Sequence, residues 1–111
     1  MGKQVFLLYR CDAWMSTSSM ELIGAFDETD EGDVTLHETV RDELCKISHG
    51  DDFDPYELGV RKCFGKYVKK ELEAAREAKI DEWQDYFFEH DQTPSLRTNL
   101  YLEAVTLNQV A

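Results

Sequence analysis

NLYLEAVTL, residues 99–107, places Leu100, Leu102 and Ala104 on one side of an extended chain and Tyr101, Val105 and Leu107 on the other. Apolar residues on both sides of a run with strand-forming residues predict a buried, central strand. A strand of this kind needs partners, and two more candidates stand at the opposite end of the chain. Val5 to Tyr9, VFLLY, is a continuous apolar run with β-branched and aromatic members. Glu21 to Phe26, ELIGAF, is the next, and its Gly24 suits a close approach of neighbouring groups.

Between these two strands lies CDAWMSTSSM, residues 11–20, too long for a tight hairpin and rich in hydroxyl side chains. The middle of the chain has a helical period. Thr35 and Glu38 fit a capping box, and Leu36, Val40, Leu44 and Ile47 recur as one apolar stripe before Gly50. A second helix is predicted from Asp54 as N-cap and Pro55 in the first turn, with Glu57 beyond. Its stripe runs through Val60, Phe64, Tyr67, Val68, Leu72 and Ala75. Lys79 then breaks the phase before Trp83 and Phe87, and Gly59 and Gly65 mark a place for a kink or split. HDQTPS, residues 90–95, is a turn. The order is β-β-α-α-β, and two amphipathic helices require a sheet to cover. The expectation is one α+β domain over residues 1–111, a three-stranded antiparallel sheet covered by two helices.

Length and composition agree with one folded unit. A chain of 111 residues and 12.9 kDa buries about two thirds of its surface on folding, and 42% hydrophobic residues exclude disorder. No apolar run reaches the roughly 18 residues of a membrane span, and the four-residue apolar core after Lys3 is too short for a signal peptide. Cys11, Cys45 and Cys63 form no CxxC pair, so reduced thiols in a cytoplasmic protein are expected, with Cys45 and Cys63 as packing residues.

Charge narrows the function classes. Twelve basic and 23 acidic residues give a net charge of −11, which repels phosphate backbones and anionic membranes and favours a protein partner with a basic surface. Residues 1–54 carry 13 acids and 4 bases, against 10 and 8 in residues 55–111. Lys62, Lys66 and Lys69 are expected on one helix face, available to the acidic half of the same or another molecule.

Catalytic patterns are lacking. Cys11, Ser16, Ser18 and Ser19 are the candidate nucleophiles and His37, His49 and His90 the candidate bases, but no serine stands in a G-x-S-x-G turn and the six glycines are isolated. No enzyme, no cofactor and no metal site is expected. The nearest approach to a metal motif is DETDEGDVTLHE, residues 27–38. As a calcium loop it places Asp27 first, Gly32 sixth, Val34 eighth and Glu38 twelfth, but Thr29 and Glu31 stand where Asp or Asn is required.

Two surfaces remain as binding candidates. One combines Asp12 and Trp14 of the first loop, where Trp14 either anchors a partner or folds over the core, with the carboxylates of Asp27, Glu28, Asp30, Glu31, Asp33, Asp51, Asp52 and Asp54. The other is the aromatic group Trp83, Tyr86, Phe87 and Phe88, which suits packing against a second copy because neighbours on a helix point about 100° apart.

Cys11, Asp12, Trp14, Ser16, Ser19 and Met20 spell C-D-x-W-x-S-x-x-S-M between two strands, and with the closing NLYLEAVTLN this resembles small uncharacterised phage or prophage proteins. The resemblance covers the first quarter and last tenth of the chain and implies no activity or site residues. Joined to the charge, it sets the leading expectation: a non-enzymatic counter-defence inhibitor whose carboxylates stand in for phosphates on a host protein's basic nucleic-acid channel. The alternative is a homodimeric interaction module with no inhibitory task; calcium binding through residues 27–38 is third.

Overall fold

Strand β1, Lys3–Cys11, lies at the centre of a three-stranded antiparallel sheet of order β2-β1-β5, with β2 at Glu21–Asp27 and β5 at Asn99–Leu107. The computed structural model describes residues 3–14 and 16–107. The α+β architecture read from the sequence is the one observed, with helix α1 at Asp30–Ile47 and α2 at Lys69–His90. Strand β5 is an edge, however, and the central place belongs to β1. The helices cover one face of the sheet only, so Tyr101 and Val105 sit half-buried on the uncovered face beside Val5, Leu7 and Tyr9. Apolar residues on both sides of β5 therefore reflect a half-exposed sheet face rather than two covered ones.

On the covered face, Leu8 stands opposite Leu102 and Gly24, and Phe6 opposite Phe26 and Ala104. The β1–β2 register shifts between Leu8 and Tyr9, an irregularity that gives β2 the extra residue Ile23, which packs against the core. Leu8, Phe26, Leu36, Val40, Leu44, Ile47, Ile80, Trp83, Phe87 and Leu100 make up most of that core. Fully burying each large side chain contributes about 1.5–3 kcal/mol.

Helix α1 carries the predicted stripe inward but starts before the predicted cap. Thr29 is the N-cap, its Oγ1 accepting from the Gly32 N–H at 3.0 Å, while Thr35 donates its hydroxyl to the Glu31 carbonyl. The apolar period begins at Leu36 because the first turn is solvent-facing; Asp30, Glu31 and Asp33 there suit the positive end of the helix dipole. Only two residues separate β2 from α1, and Gly32 permits the contact. A Cβ at Gly32 would lie 2.1 Å from the Asp27 carbonyl oxygen.

The largest departure from expectation lies between the helices. Asp54 and Pro55 open a turn rather than a helix: Asp54 Oδ1 accepts from Tyr56 N–H, and the Pro55 carbonyl accepts from Val60 N–H across Gly59 at φ 75°. Phe53 and Val60 anchor this excursion in the interior, with the Arg76 guanidinium 5.0 Å from the centre of the Phe53 ring. A hairpin follows, β3 at Lys62–Cys63 and β4 at Lys66–Tyr67. Phe64 and Gly65, both at positive φ (54° and 79°), form its two-residue turn. Helix α2 then begins without a side-chain cap, fourteen residues after Pro55. Val60, Phe64, Tyr67 and Val68 therefore do not share a helical stripe. Local start signals at Asp54 and Pro55 were overridden by two glycines in left-handed conformations.

Cysteine packing also differs from expectation: Cys11 is buried, whereas Cys45 and Cys63 are exposed on α1 and on the hairpin. Arg41 reaches Asp81 and Gln84, and His37 stacks on Phe88 at 3.9 Å, so the two helices run antiparallel. Arg41 lies about 9 Å from the end of α1, whereas Asp81 is some 18 Å along α2 from Lys69, so the start of α2 and the hairpin overhang α1. The radius of gyration, 16.8 Å, exceeds the roughly 13 Å of a fully compacted chain of this length, in keeping with the overhang.

Gly32→Ala is expected to lower stability by about 1–3 kcal/mol, because the added methyl must displace backbone rather than a flexible side chain. Gly50→Ala, with its nearest contact at 3.4 Å, serves as the control and should stay within about 0.5 kcal/mol in a urea titration.

Candidate functional site

The short passage from β2 into α1 gathers carboxylates around an apolar hollow. Phe6 and Phe26 from the sheet and Leu36 from α1 line a cavity of about 230 Å³, bordered by Asp27, Glu28, Thr29, Asp30, Gly32 and Asp33. Glu31 lies on the adjoining face with the exposed Val34. Asp33 approaches His37 Nδ1 at 3.5 Å, while Asp27, Glu28, Asp30 and Glu31 have no ion pair among the described residues. Phe6, Phe26 and Leu36 were not among the predicted site residues. Their apolar character was legible, but their meeting at one end of the sheet depends on the β1–β2 register.

Asp51, Asp52 and Asp54 do not join this group. They follow the C-terminal end of α1, a helix length of about 27 Å away. Asp51 pairs with Arg97 at 3.3 Å, Asp52 accepts from the Arg97 and Thr98 N–H groups, and Asp54 holds its own turn. The acidic first half is thus divided into an open N-terminal group and a C-terminal group engaged in local structure. Glu43, a buried carboxylate of the same helix, is neutralised by Arg10 at 2.9 Å and Lys46 at 3.3 Å.

The first loop is ordered by Asp12. Its Oδ1 accepts from the N–H groups of Trp14 and Ser16, and its Oδ2 from the Ser16 hydroxyl. The Ser19 hydroxyl accepts from Asp12 N–H and donates to the Ser16 carbonyl. Asn99, wholly buried at the start of β5, donates to the Asp12 carbonyl and binds both Thr93 and Leu96. Trp14 does not fold over the core; its side chain stands 86% exposed on this braced loop.

The candidate nucleophiles have local structural roles. Burial, then the neighbouring Asp12 charge, pushes the Cys11 thiol upward, opposite to the activation a nucleophilic cysteine needs. Ser16 and Ser19 belong to the Asp12 network. His37 stacks on Phe88 and His90 lies on Tyr86, and among the described residues no histidine bonds to Cys11 or to a serine. Residues 27–38 are not a loop, since Asp30 onward is helix, and calcium-type convergence of their carboxylates is incompatible with that backbone. No group of three or more metal-type ligands occurs among the described residues.

Of the aromatic group on α2, Trp83 and Phe87 are buried in the protein's own core, Phe88 is half-buried against His37, and Tyr86 is exposed. Packing against a second copy through this face is therefore reduced to Tyr86. No helix among the described residues is long and apolar enough to cross a membrane. Comparison of the chain with protein families, curated proteins and solved structures finds no match.

Hydrogen bonds from Ser16 N–H above all, then from the Ser16 hydroxyl and Trp14 N–H, hold the Asp12 carboxyl below its ordinary value of 3.8 against the opposing effect of burial. A depressed folded value means that the bonds stabilise the loop above 3.8 and are lost as pH falls through the lower folded value. The Trp14 indole resonance is accordingly expected to hold its position down through pH 3.8 and to collapse toward the free-chain shift only below it. Trp14→Ala should leave stability within about 0.5 kcal/mol, because the side chain covers no core.

Proposed function

We propose that this chain is a non-enzymatic acidic binding protein of phage type, a counter-defence inhibitor that docks on the basic nucleic-acid-binding surface of a host protein. The observation that carries this reading is the cavity floored by Phe6, Phe26 and Leu36 and rimmed by Asp27, Glu28, Asp30 and Asp33. Carboxylates on a rigid helix start meet lysines and arginines arranged to hold phosphates, and the apolar floor receives a side chain that a phosphate backbone does not engage. Binding energy of this kind has two separable parts. The acidic rim steers association and is screened by salt, whereas the floor contributes a salt-independent apolar contact. The helix dipole offsets part of the negative field, so the floor supplies affinity that the rim alone lacks.

Asp51, Asp52 and Asp54 are left out of the docking surface because they hold turns and ion pairs. Asp12 serves by holding the loop that presents Trp14, a second anchor at the other end of the sheet.

Affinity capture on the immobilised protein at low salt should recover basic nucleic-acid-binding host proteins, with duplex DNA competing for them. Replacing Asp27, Asp30 and Asp33 by Asn and Glu28 and Glu31 by Gln should abolish capture, and raising salt fourfold should weaken it by at least about tenfold. Capture that survives these five substitutions, or that DNA leaves untouched, overturns the reading.

A further inference from the structure

In a protein of net charge −11, residues 60–70, VRKCFGKYVKK, hold five cations and no acid. They form the overhanging hairpin and the first residues of α2. Arg61 is engaged by Glu71 at 2.7 Å, but Lys62, Lys66, Lys69 and Lys70 form no ion pair among the described residues. Between Lys62 and Lys66, at the tip, stands Phe64. Its side chain is fully exposed, and its backbone lies in the left-handed region, where a residue with a Cβ is strained. The two-residue turn it occupies is best served by Asn-Gly. A phenylalanine at that place weakens the hairpin and gains nothing within the chain, which points to a contact outside it.

The chain itself carries a matching receptor. The cavity at the start of α1 offers an apolar floor within a carboxylate rim, the counterpart of an apolar tip within a lysine collar. An enclosed apolar cavity of about 150 Å³ accepts a benzene ring; this hollow, apolar at its floor and open to solvent at its acidic mouth, measures about 230 Å³. Tip and cavity cannot meet within one molecule: the cavity lies at the N-terminal end of α1, and the hairpin overhangs its C-terminal end.

We propose that the Phe64 tip of one copy seats in the Phe6–Phe26–Leu36 cavity of a second copy, with Lys62, Lys66, Lys69 and Lys70 facing Asp27, Glu28, Asp30, Glu31 and Asp33. The contact is head-to-tail, so each copy keeps one free tip and one free cavity, and assembly runs to rings or open chains rather than stopping at a dimer. The inference rests on the cavity being a docking site, as the proposed function has it, and deepens that reading: a cavity filled by a neighbouring copy is withheld from a host protein until dilution or competition frees it.

Sedimentation velocity tests this with the whole chain. At low salt and high micromolar concentration the protein should form species larger than a dimer that dissociate as salt rises. Phe64→Asn, which suits the turn better and preserves the fold, should be monomeric. Asp30→Asn with Asp33→Asn, which leaves the Thr29 cap of α1 in place, should be monomeric too. Mixing the two variants should give a one-to-one complex that grows no further, since one supplies only a tip and the other only a cavity. A monomeric wild-type protein, assembly that persists in Phe64→Asn, or a mixture without a complex overturns the proposal. So does a hairpin that binds anionic vesicles or single-stranded DNA in place of a second copy. Host-protein capture by Phe64→Asn separates the two readings. If capture persists while wild-type assembly is absent, the head-to-tail contact alone falls; if capture is also absent, the docking site falls with it.

Discussion

The approach of the Asp27 carbonyl to Gly32 is the constraint on which the acidic end of the molecule depends. Two residues carry the chain from β2 into α1, and Thr29 caps the helix as soon as the turn is made. With no side chain at Gly32 the first helical turn closes against the strand end. Phe6 and Phe26 on the strands and Leu36 on the helix then share a hollow, and the acids that favour a helix N-terminus fall around its mouth. The same carboxylates thus stabilise the start of α1 and set the chemistry of the surface beside it.

The opposite end of the sheet is ordered by a different device. Asn99 is buried without a charge and satisfies its amide through Asp12, Thr93 and Leu96, tying β5 to the loop after β1 and to the turn before it. Asp12 passes this order on to Trp14. The backbone that carries this exposed tryptophan is held by five hydrogen bonds of 3.0–3.1 Å, so little of its conformational freedom remains. Among the described residues nothing of this network reaches the cavity at the other end of the sheet.

Charge is segregated along the helices in a similar way. The antiparallel packing of α1 and α2 sends the acidic helix start to one end and the lysine-bearing hairpin to the other. Between them Arg41 pairs with Asp81 and Glu77 across the two helices, and at the hairpin's base Arg61 pairs with Glu71. The bonds to Arg61 hold Glu71 below its ordinary value and, with it, hold the hairpin's base to α2. Among the described residues, Asp27, Glu28, Asp30 and Glu31 at one end and Lys62, Lys66, Lys69 and Lys70 at the other form no ion pair.

Three strands, an α+β class and the stripe from Leu36 to Ile47 were determined by sequence alone, because side-chain alternation and helical period are local properties that burial enforces. The acids of residues 27–33 were legible too, though not the cavity they surround. Which strand is central was not legible, since Tyr101 and Val105 look the same on a half-exposed face as on a covered one. Asp54 and Pro55 signalled a helix that Gly59 and Gly65 turned into a loop and a hairpin, and only packing through Phe53 and Val60 decides between these. Nor does sequence tell that Trp83 and Phe87 belong to the chain's own core while Phe64 and Trp14 stand in solvent. Periodicity records that a side chain has a face; where that face points is decided by contacts between residues far apart in the chain.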